Sequence, residues 1–227
     1  MSGKARISIA IDGPAGAGKS TIAKLISKAL NILYLDTGAM YRAVALKAIR
    51  EGIDTSNREQ MSKLVEDIDI KISHSEDMQH VFLDGEDVTG LIRTPEVSIG
   101  ASNVAAVPAV RLKMVELQRE ISKMNSVVMD GRDIGTYVLP DATLKFFLTA
   151  SVEARALRRY NELLSKGMTQ MTLEDVKKDI EYRDKNDSSR EFAPLSKAQD
   201  AIEIDTTDLS IEQVVNKIME YVKEYVY

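Results

Sequence analysis

The chain of 227 residues contains no cysteine. That excludes a disulfide framework and any thiolate metal site, and it fits a reducing compartment. It lacks a run of about eighteen consecutive apolar residues, so no transmembrane helix is expected. No signal-peptide-like apolar segment precedes Gly13 either, and the expected location is the cytoplasm. Positive charge is not in excess: 35 acidic residues against 30 basic ones leave a formal net charge of −5. That argues against broad electrostatic binding to nucleic acid and makes any basic cluster local and ligand-directed. The only two histidines, His74 and His80, have no third residue at metal-ligand spacing and read as ordinary surface residues. Internal repeats and low-complexity tracts are missing too. Length and composition suit one α/β domain with appendages.

What is present begins near the N-terminus. An apolar strand, Ile7–Ile11, runs into Asp12-Gly13-Pro14-Ala15-Gly16-Ala17-Gly18-Lys19-Ser20-Thr21, a complete G-x-x-x-x-G-K-[ST] P-loop. Glycines are needed there because backbone N–H groups must turn inward around phosphate oxygens. Lys19 is then placed to reach the β- and γ-phosphates and Ser20 to reach Mg²⁺. Ile22, Leu25, Ile26, Ala29 and Leu30 repeat at helical spacing, so a helix starts at the lysine and points its positive end at the anion. The expected ligand is a nucleoside triphosphate.

Strands and helices then alternate as in a parallel sheet with crossover helices. Ile32–Leu35, Ser126–Met129, Leu144–Leu148 and Ala201–Ile204 read as strands and, with Ile7–Ile11, predict five in parallel. Helices are predicted over about Ala39–Arg50, Pro95–Met124 with a restart at Pro108, Glu153–Leu164 and Thr172–Asn186. A loop with Gly167 joins the last two. The final helix opens on the capping-box pattern Ser210-Ile211-Glu212-Gln213 and reads as packing only. Between about Asp54 and Gly90 the pattern changes to Ile68–Ser73, Gln79–Leu83 and a short strand near Glu86–Val88, a small antiparallel insertion turning at Asp84-Gly85.

A triphosphate clamp alone does not separate a switch, a motor and a kinase; arginine placement does. Transfer between two anions needs neutralised repulsion and stabilised spreading charge. Arg42 lies in Asp36-Thr37-Gly38-Ala39-Met40-Tyr41-Arg42, at the opening of a helix after the second strand. Arg132 lies in Asp130-Gly131-Arg132-Asp133, just past a strand end, where open α/β sheets place ligands. Arg183, Asp187 and Arg190 share one helical face or its end; alone, the first two would read as a surface ion pair, but beside the other clusters they read as functional. Asp130 has the position of a magnesium-associated carboxylate, or of a turn-forming aspartate before Gly131. Arg155, Arg158 and Arg159 precede the Gly167 loop and suit either a closing lid or a solvated face, with Arg155 the weakest candidate. Asp87-Val88-Thr89-Gly90 imitates a GTPase switch motif, but no N-K-x-D follows it.

Taken in order, these stretches, with Ile134-Gly135-Thr136, Arg183-Asp184 and Arg190-Glu191-Phe192-Ala193-Pro194-Leu195, resemble the bacterial cytidylate kinases, among the nucleoside monophosphate kinases. The resemblance spans Ile7 to the final helix. It implies a P-loop three-layer α/β fold with a core (about 1–36, 106–154 and 187–227), an acceptor-binding subdomain enlarged by the insertion (about 37–105) and a lid (about 155–186). It implies ATP and CMP or dCMP as substrates, Mg²⁺ as cofactor, and a monomer. By matched position, Arg42, Arg132 and Arg183 would hold the acceptor phosphate and the transferring group, with Tyr41 and Asp130 beside them. Ser102, Arg183 and Asp187 would read the ribose, and Thr37, Arg111, Asp133 and Arg190 the cytosine. Arg158 and Arg159 would belong to the lid, Asp205-Thr206-Thr207 would lie near adenine, and Ser20 and Asp130 would serve Mg²⁺ directly or through water. Thr37 stands where serine is common. The rival readings are a related kinase with UMP or AMP as acceptor, and a nucleotide-dependent switch.

Overall fold

The protein is described here by a computed structural model covering residues 6–75, 78–167 and 170–226. Its central sheet is parallel and contains β1 (Ser8–Asp12), β2 (Leu33–Asp36), β6 (Val127–Gly131), β7 (Leu144–Thr149) and β8 (Ile202–Asp205) in the order β2-β6-β1-β7-β8. Both faces are covered, so the strands are apolar on consecutive residues rather than alternate ones. Ile9 and Ile11 pack to one side with α1 (Lys19–Leu30) and α8 (Ile211–Val226). Ala10 packs to the other, against α2 (Thr37–Arg50) and α5 (Pro108–Met124). The five predicted strands and the three layers are all present.

The insertion forms a second, antiparallel sheet of β3 (Ile70–Ser75), β4 (Met78–Leu83) and β5 (Glu86–Asp87). Asp84 and Gly85, with φ of 49° and 87°, form the turn between β4 and β5; two successive positive angles match the right-handed twist of a hairpin. Ahead of this sheet lies a helix the sequence reading lacked, α3 (Arg58–Leu64), capped by Asn57, whose side chain accepts from Gln60 N at 3.1 Å. α4 (Pro95–Val104) and α5 both begin on a proline, as the restart at Pro108 requires. α6 (Val152–Ser165) and α7 (Leu173–Ser188) pack on each other through Ala156, Leu163, Val176 and Ile180. Ser210 and Gln213 form the expected box at the start of α8, the Gln213 amide donating to Ser210 Oγ at 3.2 Å and Gln213 Oε1 accepting from Ser210 N at 2.8 Å.

The strand register aligns Asp36 with Asp130 and Asp12 with Gly131. The carboxyl-terminal ends of β2, β6 and β1 therefore lie side by side, and the P-loop, the Arg42 segment and the Arg132 segment all leave the sheet from this edge.

Candidate active site

The P-loop spans the turn from β1 into α1. Gly13, Gly16 and Gly18 have φ of 145°, 77° and 86°, all in the region that L side chains avoid. Gly13 has a second reason to be glycine, since a Cβ there would meet the Leu148 carbonyl oxygen at 2.0 Å. Gly18 caps α1 without any side-chain hydrogen bond, so the first amides of the helix are left for a ligand. Lys19, 5% exposed, donates from Nζ to the Pro14 carbonyl at 2.7 Å, folding back over its own loop. Burial, then the neighbouring Arg132, holds its pKa well below the usual lysine value. Ser20 Oγ donates to Asp130 Oδ2 at 2.7 Å, and Tyr34 Oη donates to Asp130 Oδ1 at 2.8 Å. Burial and Asp36 raise the Asp130 carboxyl above its ordinary range.

A cleft of about 940 Å³ runs from this loop across the sheet edge to the insertion and the α6–α7 pair. Its walls bring together Ala15 to Thr21, Thr37, Tyr41, Arg42, Ser102, Arg111, Asp130, Arg132, Asp133, Arg158, Arg159, Arg183, Asp187 and Arg190. Gly13 and Pro14 are not among its lining residues. Ile211 and Val214 of α8 also line the cleft, so the reading of that helix as packing alone is corrected.

The arginines differ in what they hold. Arg132 donates from Nε to Asp187 Oδ2 at 2.6 Å, and Arg190 Nη2 stands 3.8 Å from the other oxygen of that carboxylate. Burial opposes ionisation of Asp187, but Arg132, Arg190 and Arg183 together hold its carboxyl below the ordinary range. Arg183 is different. It has no ion pair with Asp187 four residues on, which instead reaches across to Arg132 just past β6, and its buried Nε has no hydrogen-bond partner. Burial, then Arg132, lowers its pKa to about 10. Arg42 Nη1 likewise makes no hydrogen bond, though it is ion-paired with Asp36 Oδ2 at 3.5 Å. Half-buried guanidinium groups with unused donors beside a P-loop are chemically suited to an anion.

Deeper in, Arg111 is 1% exposed, pairs with Asp133 Oδ2, donates to the Ala105 carbonyl at 3.1 Å and lies over the Tyr41 ring. Ser102 Oγ, Arg111 Nε and Arg190 Nη2 are buried without hydrogen-bond partners, and all three residues line the cleft. Thr37 Oγ1 donates to the Asp130 carbonyl at 2.7 Å, so its hydroxyl is left to face a ligand as an acceptor.

The lid candidates separate as well. Arg158 donates to Thr206 Oγ1 at 3.0 Å and to the Thr206 and Thr207 carbonyls, tying α6 to the loop after β8. Arg159 pairs with Glu162 at 2.7 Å. Arg155 is internal: it donates to the Ala15 carbonyl at 3.0 Å and the Ala150 carbonyl at 2.9 Å, and pairs with Asp184 at 2.7 Å. Arg155→Ala should cost about 3 kcal/mol, low in the range for a broken buried pair because Asp184 stays 25% exposed. Urea unfolding checks this, and a loss under ~1 kcal/mol contradicts it.

Three site residues were not singled out from sequence. Asp36 caps α2 by accepting from Ala39 N at 2.9 Å and pairs with Arg93 at 2.9 Å. Gln79 of β4 accepts from Asp36 N at 2.8 Å and donates to the Asp36 carbonyl at 3.3 Å, fastening the insertion to the sheet edge. The signal for Gln79 was a polar residue on the inward side of a strand, in step with buried Val81 and Leu83. Arg93 follows Ile92 in a short 3₁₀ turn and offers no comparable pattern. Of the histidines, His74 is exposed and donates from Nε2 to the Tyr34 carbonyl at 2.7 Å, while His80 pairs with Asp87 at 3.1 Å.

Comparison with known proteins identifies the family and the fold. The family model described as cytidylate kinase matches residues 9–224. A cytidylate kinase of Bacillus cereus (strain B4264) is 54% identical over 217 residues, covering 96% of each chain. One of Bacillus thuringiensis (strain Al Hakam) is 54% identical over 214 residues, covering 94% of this chain and 95% of the other. Among solved structures, a shikimate kinase from Bacteroides thetaiotaomicron superimposes with a TM-score of 0.52 at 14% identity, over 96% of this chain and 99% of that one. A gluconokinase from Sinorhizobium meliloti does so with 0.52 at 12%, over 97% and 94%. At such identities these two speak for the fold alone.

Proposed function

The chain belongs to the cytidylate kinase family, and from that premise we propose that it transfers the γ-phosphoryl group of ATP to CMP, and to dCMP, giving ADP and CDP or dCDP. The observation that carries the reaction type is Arg183: its buried Nε has no hydrogen-bond partner and it forms no ion pair among the described residues, and it stands beside Arg42, Arg132 and the P-loop lysine in one cleft. A phosphate oxygen of the acceptor attacks the γ-phosphorus in line, that bond forms, and the bond to the β–γ bridging oxygen breaks with its electrons leaving on ADP. The acceptor is already an anion at the attacking oxygen, so no general base is assigned. Lys19, Arg132 and Arg183 stabilise charge on the transferring group, and Arg42 and Arg183 offset repulsion between the two substrates.

Mg²⁺ is assigned to the triphosphate. Ser20 Oγ and Asp130 Oδ2, 2.7 Å apart at the loop, suit a cation that keeps phosphate oxygens and waters as its other ligands. Bound there, it would neutralise the β- and γ-oxygens. Among the described residues no group of three or more His, Cys, Asp or Glu is placed to hold a metal by itself.

Asp133 and Arg111 supply an acceptor and donors, the complement of cytosine's N4 amine and its O2 and N3; uracil reverses two of those partners. Asp133→Ala should therefore erode base choice above all, and an unchanged ratio of kcat/KM for CMP and UMP contradicts the assignment. The division into a core, an acceptor-binding subdomain and a lid over 155–186 belongs to the same reading, as do a monomeric state, the cytoplasm and the lack of a nucleic-acid partner. No helix among the described residues is long and apolar enough to cross a membrane. The test of the reaction is transfer of label from γ-labelled ATP. It is expected in the β-position of CDP, and label released only as inorganic phosphate would contradict it.

A further inference from the structure

We propose that Asp12 is a positioning residue of the acceptor site, which caps the turn after Arg132-Asp133 from a neighbouring strand and thereby leaves Asp133 free to face the base. The proposal rests on the CMP reading above. Asp12 ends β1, is 3% exposed, and takes its hydrogen bonds from two successive amides: Ile134 N to Oδ1 at 2.8 Å and Gly135 N to Oδ2 at 2.7 Å. Those amides open a π-helical turn, Ile134–Val138, in which the Tyr137 and Val138 amides return to the Asp133 carbonyl at 2.9 and 3.0 Å. At the start of a helical turn the first amides have no acceptor of their own, and the residue before them usually supplies one from its side chain. Here that residue is an aspartate, Asp133, yet its side chain makes no capping bond. It pairs instead with Arg111.

Asp12 therefore does from outside what Asp133 would otherwise do from within. The arrangement is held against a cost, since burial pushes the Asp12 carboxyl up to about 7 even though both amides pull it down. The approach is close as well: a Cβ on Gly135 would stand 3.4 Å from Asp12 Oδ2 and 3.1 Å from Lys145 Cδ. Because Asp12 also leads directly into the P-loop, the same two bonds tie the acceptor segment to the donor site.

The consequence is specific. Asp12→Asn keeps the shape, but its carboxamide can accept from one amide only and turns an N–H toward the other. Asp133 is then the nearest available cap, and taking that role withdraws it from Arg111 and the cytosine site. The experiment is steady-state kinetics of wild type and Asp12→Asn with Mg·ATP and either CMP or UMP. The expected result is a KM for CMP raised about 10- to 100-fold, the effect of a displacement near 1 Å, with the KM for ATP within about threefold and a lower preference for CMP over UMP. A role confined to stability would lower apparent kcat equally for both acceptors and leave each KM and the preference in place; that result overturns the proposal. If Asp12→Asn does not fold, Asp12→Glu retains a capping carboxylate displaced by one methylene. It should raise the KM for CMP while keeping the preference, and an unchanged KM overturns the proposal equally. The wild-type arm separates the two levels. Without CMP-dependent ADP formation there, the CMP reading falls and takes this role with it, whereas an active wild type with an unaltered variant removes the role alone.

Discussion

Arg132→Ala is expected to lower kcat for CMP phosphorylation by about 10³- to 10⁵-fold, the scale on which a single arginine acts in phosphoryl transfer. The size follows from placement. Arg132 leaves the end of β6 beside the P-loop, close enough to help depress the lysine's pKa, and its bonds to Asp187 Oδ2 at 2.6 Å and to the Gly131 carbonyl at 3.2 Å fix the plane of the guanidinium before any substrate arrives. Such preorganised charge needs no rearrangement as charge spreads in the transition state. Lysine should not rescue it, because an ammonium cannot hold Asp187 and still present a planar fork. The substitution also leaves Asp187 paired with Arg190 alone among the described residues, 3.8 Å away, so rates must be compared well below the variant's melting temperature. Turnover within tenfold of the parent contradicts the role.

Arg183→Met should move activity and stability in opposite directions. Loss of the donor is expected to cost about 10²- to 10³-fold in kcat/KM, as removal of one oxyanion-stabilising donor does. Stability at neutral pH should rise. Burial and Arg132 lower the Arg183 pKa from 12.5 to about 10, so the charged form is penalised in the folded state at every pH below about 10 and the penalty fades only as pH rises from there toward 12.5. Methionine keeps the apolar stem and removes that penalty, for a gain of ~1–3 kcal/mol. Urea unfolding at pH 7, with and without CMP, reads both halves: CMP should stabilise the parent and do little for the variant. A variant less stable than the parent by more than ~1 kcal/mol contradicts the view that Arg183 is held uncompensated for a ligand.

The parts legible in the sequence were those fixed by local rules. A short apolar run before a glycine-rich turn makes β1 and the P-loop, and buried parallel strands need such runs on successive residues, so all five were readable. α3 was not, because Met61 and Leu64 are the only buried residues in its seven and two positions cannot establish a period; its signal was the cap at Asn57. α2 starts at Thr37, ahead of the expected Ala39, because the Asp36 side chain caps it. In the site, Arg42, Arg132 and Arg183 stood out by their places at strand ends and on one helix face. Partnerships across elements did not. Alone, the spacing of Arg183 and Asp187 would suggest a surface pair, the reading set aside beside the other clusters, and it could not show that tertiary packing gives Asp187 to Arg132. Asp12 was hidden inside a motif whose glycines and lysine already explained it, and its acceptor role depends on amides 122 and 123 residues away.

The most direct test of the assigned reaction is the rate of ADP formation from Mg·ATP by the purified protein, with CMP, dCMP, UMP, AMP and GMP offered separately and one control without acceptor. Fast turnover confined to CMP and dCMP is the predicted result. Slow hydrolysis at the same rate in every arm, the control included, would contradict the kinase reading and leave only the nucleotide-binding loop in place.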